Sequence, residues 1–223
     1  MSKMTAPTTS LTDITRSSYQ NEKTIEAYDH EVDRYINNTP QTYNKSHQPM
    51  LRWLNAALEI LPAQAKILEI GSGTGREARY IKKQGHNILC SDAADSFVEY
   101  LHRNQIDAFK LNILTDKLPV GFDMIVANAV VPHFTPDDLK IALTKIEYSL
   151  SAEGIFALSA KQGVGETWIN EKLKRKRYIH FWQPSLLIQF LESAGFEIVF
   201  MESNTFGDFA SHIWTHIIVR KTK

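Results

Sequence analysis

Between Lys66 and Arg76 the chain reads Lys-Ile-Leu-Glu-Ile-Gly-Ser-Gly-Thr-Gly-Arg. It begins as a short apolar run, which reads as a buried strand. Glycines at 71, 73 and 75 then break the run, and a helical pattern follows from Arg76. A strand that ends in glycines and turns into a helix start is a device for holding a small ligand. Without Cβ atoms the backbone takes positive φ and lets a ligand come close. The unpaired N–H groups of the first helical turn add a partial positive field.

The rest of the chain can be placed around this turn. Ile25, Tyr28, Val32, Tyr35 and Ile36 fall at helical spacing, which predicts a helix over Asn21–Asn38 after a mobile tail of residues 1–20. Its thin, aromatic stripe suits a cap lying against the domain, so 21–44 reads as cap helix and loop. Leu51, Leu54, Leu58 and Leu61 predict an amphipathic helix over Met50–Leu61, stopped by Pro62. Beyond the turn, strands are expected at 87–91, 108–111, 122–128 and 155–160, with helices between them. Thr135-Pro136-Asp137-Asp138 is a strong helix start, with Thr as N-cap, Pro at the first position and acids in the first turn. Five strand–helix alternations indicate a parallel sheet with helices on both faces. A last helix runs from Gln183 to Gly195. The strands that follow it, 196–200 and 213–219, have no helix between them and should pair antiparallel. One domain over 45–223 results, with an insertion at 161–182.

Composition narrows the function classes. The 43% hydrophobic and 22% charged content is ordinary for a globular protein. Lys plus Arg equals Asp plus Glu at 25 each, so no global basic field exists to hold nucleic acid. Cys90 is the one cysteine, which excludes an internal disulfide and a cysteine-rich metal site. His212 and His216 share a strand face but lack a third ligand, so no metal is expected. No apolar stretch is long enough to span a membrane, and Met1–Ser18 lacks the apolar core of a secretory signal. A soluble cytoplasmic protein, monomer or homodimer, with no nucleic-acid or membrane partner, is the expectation.

The chemistry of the turn separates two common uses. A dinucleotide site needs G-x-G-x-x-G, the last glycine letting the helix press on the strand. Here that position is Arg76, which fits a diphosphate site badly. Glu69, two residues before the first glycine, would repel a diphosphate and welcome an ammonium group.

On these residues the chain resembles the class I S-adenosylmethionine-dependent methyltransferases. Leu68-Glu69-Ile70-Gly71-Ser72-Gly73-Thr74-Gly75 is similar to the family's first motif. Asp92, at the end of the second strand and roughly 20 residues on, stands where a ribose-binding carboxylate belongs. The resemblance covers about residues 45–220. It implies an α/β, Rossmann-like, doubly wound sheet of seven mostly parallel strands with an antiparallel terminal hairpin strand. It also implies S-adenosylmethionine as cofactor and S-adenosylhomocysteine as product. Gly71, Ser72, Gly73, Gly75 and Arg76 would lie under the methionine and ribose, with Glu69 near the amino group. Asp92 would accept both ribose hydroxyls. Ala93, Asn112 and Ile113 would border adenine, although an acid is common in the family where Asn112 stands. Asn128 and Ala129 would line the methionine end. Tyr28 and Tyr35 would cover the cofactor, their rings able to meet a sulfonium.

Structural alternatives stay open for several of these. Asp92 also suits a helix N-cap, Asn128 a turn, and Tyr28 and Tyr35 simple packing. Cys90 reads as a small core residue.

Methyl transfer from a sulfonium needs alignment above all and a base only when the acceptor must lose a proton. His133 is the candidate base. The stretch Asn128-Ala129-Val130-Val131 lacks the Asn/Asp-Pro-Pro-aromatic motif of amino-methylating nucleic-acid enzymes. The only cysteine is misplaced for cytosine-carbon chemistry. A small-molecule acceptor is therefore expected. The insertion offers Lys161, Trp168, Arg177, Tyr178 and Phe181 as its binding residues, with Arg177 or Lys161 holding an acidic group. The run Lys172–Arg177 also reads as a solvated helix face. A non-catalytic cofactor-binding relative and a nicotinamide-dependent oxidoreductase remain as alternatives.

Overall fold

The structure, a computed structural model, describes residues 11–44, 47–205 and 212–222. Two helices come first, α1 (Leu11–His30) and α2 (Val32–Asn37), separated at Glu31. The sequence predicts one helix over Asn21–Asn38 behind a tail, but α1 begins ten residues earlier and the chain breaks before Val32. Its inward positions include Gln20, Thr24 and Ala27, polar or small residues that give no apolar period to read. The part of the expected tail before Leu11 lies outside the described residues. Helix α3 (Gln48–Glu59) buries Met50, Trp53, Leu54, Ala57 and Leu58. The inward face is thus turned from the expected leucine stripe: Leu51 is only half-buried, and Leu61 lies beyond the end of the helix. Trp53 sets the orientation, being wholly buried with its Nε1 donating to the Ile217 carbonyl at 3.0 Å.

The alternating part follows as β1 (Lys66–Ile70), α4 (Arg76–Lys83), β2 (Asn87–Asp92), α5 (Asp95–Arg103), β3 (Ala108–Lys110) and β4 (Phe122–Ala127). A 3₁₀ turn at Val131–His133 precedes α6 (Pro136–Ser149) and β5 (Leu150–Lys161). Helix α6 starts as its sequence dictates. Thr135 Oγ1 accepts from the Asp138 N–H at 3.2 Å, and the Asp138 carboxylate accepts from the Thr135 N–H at 2.9 Å. The insertion is a small two-stranded hairpin rather than a loop, β6 (Glu166–Ile169) against β7 (Arg177–His180). Helix α7 (Pro184–Ser193), β8 (Phe196–Asn204) and β9 (Trp214–Lys221) complete the chain.

The main sheet has seven strands in the order β3-β2-β1-β4-β5-β9-β8. Only β9 runs against the others, pairing antiparallel with β5 and with β8. This is the Rossmann-like, mostly parallel sheet with a terminal hairpin that the pattern predicts. One face packs Leu68, Ile70 and Ile125 against α6 and α7; the other packs Ile67, Met124 and Val126 against α3, α4 and α5. From β1 the chain winds outward through β2 and β3, then returns to place β4 on β1's other side. Between β1 and β4 the strand ends therefore open a crevice, the place where open α/β sheets bind ligands. No helix among the described residues is long and apolar enough to cross a membrane.

Gly75, where the turn enters α4, is held at φ +72°, and a Cβ there would stand 2.8 Å from both Ile106 Cδ1 and Leu101 Cδ2. The left-handed backbone alone costs a non-glycine residue about 1–2 kcal/mol, and crowding in a packed core adds about 1–3 kcal/mol. Gly75→Ala should lower the unfolding free energy by about 2–5 kcal/mol on these two scales. A urea midpoint shifted without change of slope is the measurement, and an unshifted midpoint would contradict it.

Candidate functional site

The glycine turn is stitched to the end of β2. The Ser72 N–H donates to the Ser91 carbonyl at 2.9 Å, and the Gly73 N–H donates to Asp92 Oδ2 at 2.9 Å. Asp92 Oδ1 accepts the Ala94 N–H at 3.0 Å. Both carboxylate oxygens are thereby fixed by backbone donors, each keeping lone pairs for a ligand. Ala94, not Asp92, stands at the N-cap of α5, so the carboxylate bridges turn and helix instead of capping. Burial pushes its pKa up to about 6 against the pull of those N–H groups. A Cβ on Gly71 would meet Val130 Cγ2 at 2.5 Å, so only glycine allows β1 and the exit of β4 to lie this close.

Turn, strand ends, α1 and the hairpin enclose a cavity of about 390 Å³. That volume is in the usual range for a small-molecule site, about 300–1,000 Å³. Its walls bring together most of the residues singled out in sequence: Gly71, Gly73, Arg76, Asp92, Ala93, Asn112, Ile113, Asn128, Ala129 and His133. Tyr28, Tyr35, Lys161 and Arg177 join them from α1, α2, β5 and β7. Glu69, Ser72 and Gly75 are buried beneath the turn and do not line the cavity. Nor do Trp168, Tyr178 and Phe181. Trp168 and Tyr178 face each other across the hairpin with ring centroids 5.9 Å apart. Phe181 packs on Gly163 and near His212. Their alternation along a strand decides this, because Arg177 and Ile179 reach the cavity while Tyr178 between them does not. Met50, Phe97 and Trp214 also line it, and sequence did not single them out; Lys172, read there as part of a solvated helix face, lines it as well and lies on no helix. Trp214 stands opposite Lys161 in the β5–β9 register, a pairing no local pattern reveals.

One hydrogen-bonded chain closes the cavity under α1. Arg177 Nη1 donates to Tyr28 Oη at 2.8 Å, and Tyr28 Oη lies 2.9 Å from His133 Nε2. His133 Nδ1 is 2.8 Å from the Tyr178 carbonyl. A carbonyl only accepts, so Nδ1 carries the ring proton and Nε2 takes the Tyr28 O–H. Burial, with Arg177 and Lys161 nearby, drives the His133 pKa down to about 3, opposed by the Tyr178 carbonyl. The ring is neutral at physiological pH. Helix α1 is further tied by Asn112 Nδ2 to Asn21 at 2.7 Å and by the Ser96 N–H to Asp29 at 2.8 Å. No cluster of metal-ligating side chains occurs among the described residues.

The family described as a methyltransferase domain matches residues 68–156, which span β1 to β5 and include the turn, Asp92 and Asn128. Over this stretch, less than half of its length, the chain is similar to that family, and its sheet order is that of a Rossmann-like methyltransferase fold. Comparison with curated proteins finds no match. Among solved structures, the 1,6-didemethyltoxoflavin-N1-methyltransferase of Burkholderia thailandensis, with bound 1,6-didemethyltoxoflavin and S-adenosylhomocysteine, is 19% identical at a TM-score of 0.69. That alignment covers 99% of this chain and 94% of that one. A Methanosarcina mazei methyltransferase is 14% identical at a TM-score of 0.66, over 74% of this chain and 96% of the other. The cyclase SpnF is 15% identical at 0.68, over 91% and 96%. At these identities the likeness is one of fold. The donor set fits a cofactor with ribose hydroxyls and an amino-acid end. Asp92 offers acceptors to the first, and Arg76, whose buried Nε has no partner among the described residues, offers a cation to the second.

Two buried carboxyls lie behind this wall. Sequence reading sets Glu69 toward an ammonium group, but alternation along β1 turns it away from the cavity, 1% exposed, beside Cys90. Burial and the nearby Glu77 push its pKa up to about 8, against hydrogen bonds from Ser72 and Cys90. Glu77 keeps its charge: although burial opposes ionisation, Arg76, Asn128 and Tyr43 hold it below the usual range. It accepts from Asn128 Nδ2 at 2.6 Å, Arg76 at 2.8 Å and Tyr43 Oη at 2.9 Å, and so orients two cavity-lining side chains. Glu69 holds a proton in the folded state that the unfolded chain releases above pH ~4.5. Its contribution to stability is full below that pH and is lost as pH rises through about 8. Glu69→Gln should therefore gain stability relative to the parent between pH 5 and 9, read from urea midpoints at both ends. A constant difference across that range would refute the assignment.

Proposed function

We propose that this chain binds S-adenosylmethionine across the β1–β4 crevice and methylates a small-molecule acceptor held beneath α1. The observation that carries the reading is Asp92, a buried carboxylate fixed by the Gly73 and Ala94 N–H groups at the cavity wall. Its remaining lone pairs suit a pair of vicinal hydroxyls. The glycine turn would underlie the ribose and methionine. Arg76 would meet the cofactor carboxylate, and Ala93, Asn112 and Ile113 would frame the base. Bound there, the sulfonium supplies an activated methyl group, and its sulfur leaves neutral, so no acid is required. The remaining work of the chain is alignment and exclusion of water.

On the acceptor side of the cavity Tyr28 and His133 would act as one hydrogen-bonded pair that positions the acceptor. His133 Nε2 already takes the Tyr28 O–H, and Arg177 donates to the same oxygen. The histidine thus acts through the tyrosine. The Tyr28 ring would also offer a π-face to the sulfonium.

Calorimetric titration should show S-adenosylmethionine binding, and Asp92→Ala should weaken it by about 1.5–3 kcal/mol, the scale of hydrogen bonds to a charged group. NADH binding in its place would favour an oxidoreductase instead. A turnover screen against a pooled metabolite extract, read by mass as a gain of CH₂, would identify the acceptor. Cofactor binding without turnover would mark a non-catalytic relative.

On the acceptor so identified, Tyr28→Phe keeps the ring and should leave cofactor affinity in place. It should lower kcat by about tenfold or more, because the hydroxyl that Arg177 and His133 orient toward the acceptor is lost. An undiminished kcat would remove Tyr28 from the chemistry.

A further inference from the structure

The cavity has two charged ends, and only one is explained by the cofactor. On the glycine-turn side stands Arg76, paired with Glu77 at 2.8 Å. On the other side stand Lys161, at the end of β5, and Arg177, at the start of β7. Both are at least nine-tenths buried, 8% and 6% exposed, and both line the cavity. Neither forms an ion pair among the described residues. Arg177 spends Nη1 on Tyr28 and lies 5.2 Å over that ring, while its buried Nε has no hydrogen-bond partner. The Lys161 ammonium lies 5.6 Å from the centre of the Trp214 ring, and its side chain makes no hydrogen bond among the described residues. Lys172 lines the same cavity, 5.4 Å over Tyr35. The one acid beside them on the cavity wall is Glu171, which is exposed.

Burying Lys161 and Arg177 without an ion pair is costly, and the neighbouring cations add mutual repulsion. Burial lowers the Lys172 pKa to about 8, with Arg177, Arg76 and Lys161 adding to the shift. Burial, together with Arg177, lowers that of Lys161 against the pull of Glu171. Such an arrangement suits an anion that enters the cavity. It is not the cofactor's own carboxylate. Strand β5 lies two places from β1 in the sheet, about 10 Å at the usual strand spacing, and the glycine turn already has Arg76.

We propose that the methyl acceptor is an organic carboxylate, seated on Arg177 and Lys161 with its apolar body against Ile179, Pro132 and Trp214. A planar guanidinium matches a carboxylate edge to edge, and the lysine adds a point charge. The proposal rests on the methyl-transfer reading and narrows its substrate class.

The test divides a metabolite extract on an anion exchanger at neutral pH and supplies methyl-labelled S-adenosylmethionine to each fraction. Label should pass into a retained carboxylic acid. Lys161→Met and Arg177→Lys should each raise the acceptor KM at least tenfold and leave S-adenosylmethionine affinity within twofold. Lys161→Met should also melt higher than the parent, because it deletes an unpartnered buried charge. A lysine kept for structure would do the reverse. Label appearing in an unretained product, or in a phosphate ester without a carboxylate, overturns the proposal and leaves methyl transfer standing. Absence of transfer in every fraction defeats the methyl-transfer reading. The pocket is then judged by calorimetric titration of benzoate and benzamide into the protein, with and without S-adenosylhomocysteine. Benzoate should bind at least tenfold more tightly, with the preference lost in Lys161→Met. Equal affinities, or no benzoate binding, overturn the anion site on their own.

Discussion

The site depends on two backbone N–H groups that converge on one carboxylate. Gly73 donates from the turn after β1 and Ala94 from the start of α5, and Asp92 receives both. These bonds, with the Ser72 N–H on the Ser91 carbonyl, lock the turn to the neighbouring strand. On the turn's other side Gly71 lets β4's exit come within van der Waals range. A side chain there would push Val130 away and widen the crevice. The turn's geometry, the carboxylate's orientation and the closeness of β4 are therefore one constraint. Its cost is a carboxyl held in a poorly solvated place, visible as the rise of its pKa to about 6.

Behind the wall, charge is sorted by the same rule that buried ions need partners. Glu77 has three hydrogen-bond donors and stays ionised, holding Arg76 and Asn128 at the cavity. Glu69 lacks a cation of its own and keeps its proton to about pH 8. Two glutamates of the same motif thus have opposite states. The difference lies in which face of strand or helix each occupies. Asn128 gains from this, since Glu77 fixes its amide nitrogen while Ser159 donates to its oxygen at 2.6 Å. A turn asparagine without such clamps would not hold one orientation.

What sequence reveals here divides by range. The glycine turn, Asp92 and the capping box at Thr135 are local chemistry, readable because each residue's role is set by neighbours a few positions away. The alternation of strands and helices is equally plain, and with it the parallel sheet and the reversed β9. Helix α1 hides its start because polar Gln20 and Thr24 face inward. The α3 face is set by Trp53 meeting Ile217, a partner 164 residues away. The insertion's aromatics draw the eye toward Tyr178 and Trp168. A two-residue period, invisible until the hairpin is recognised, assigns the cavity to Arg177 and Ile179 instead. Tyr28 and His133 stand out separately in sequence, yet their bond joins residues 105 apart. That bond turns a candidate base into the partner of a tyrosine.

The balance of 25 basic and 25 acidic residues leaves no global basic field, and it says nothing about the interior. Inside the cavity Arg76, Lys161, Lys172 and Arg177 face Asp92 and Glu171. Over the whole surface, water and salt would screen such an excess within about 8–10 Å. In a cavity walled by Phe97, Ile179 and Trp214 the screening is weaker, so a few charges decide what enters. Local sorting of charge, not the chain's total, therefore sets the field inside this cavity. Two of these cations, Lys161 and Arg177, form no ion pair among the described residues.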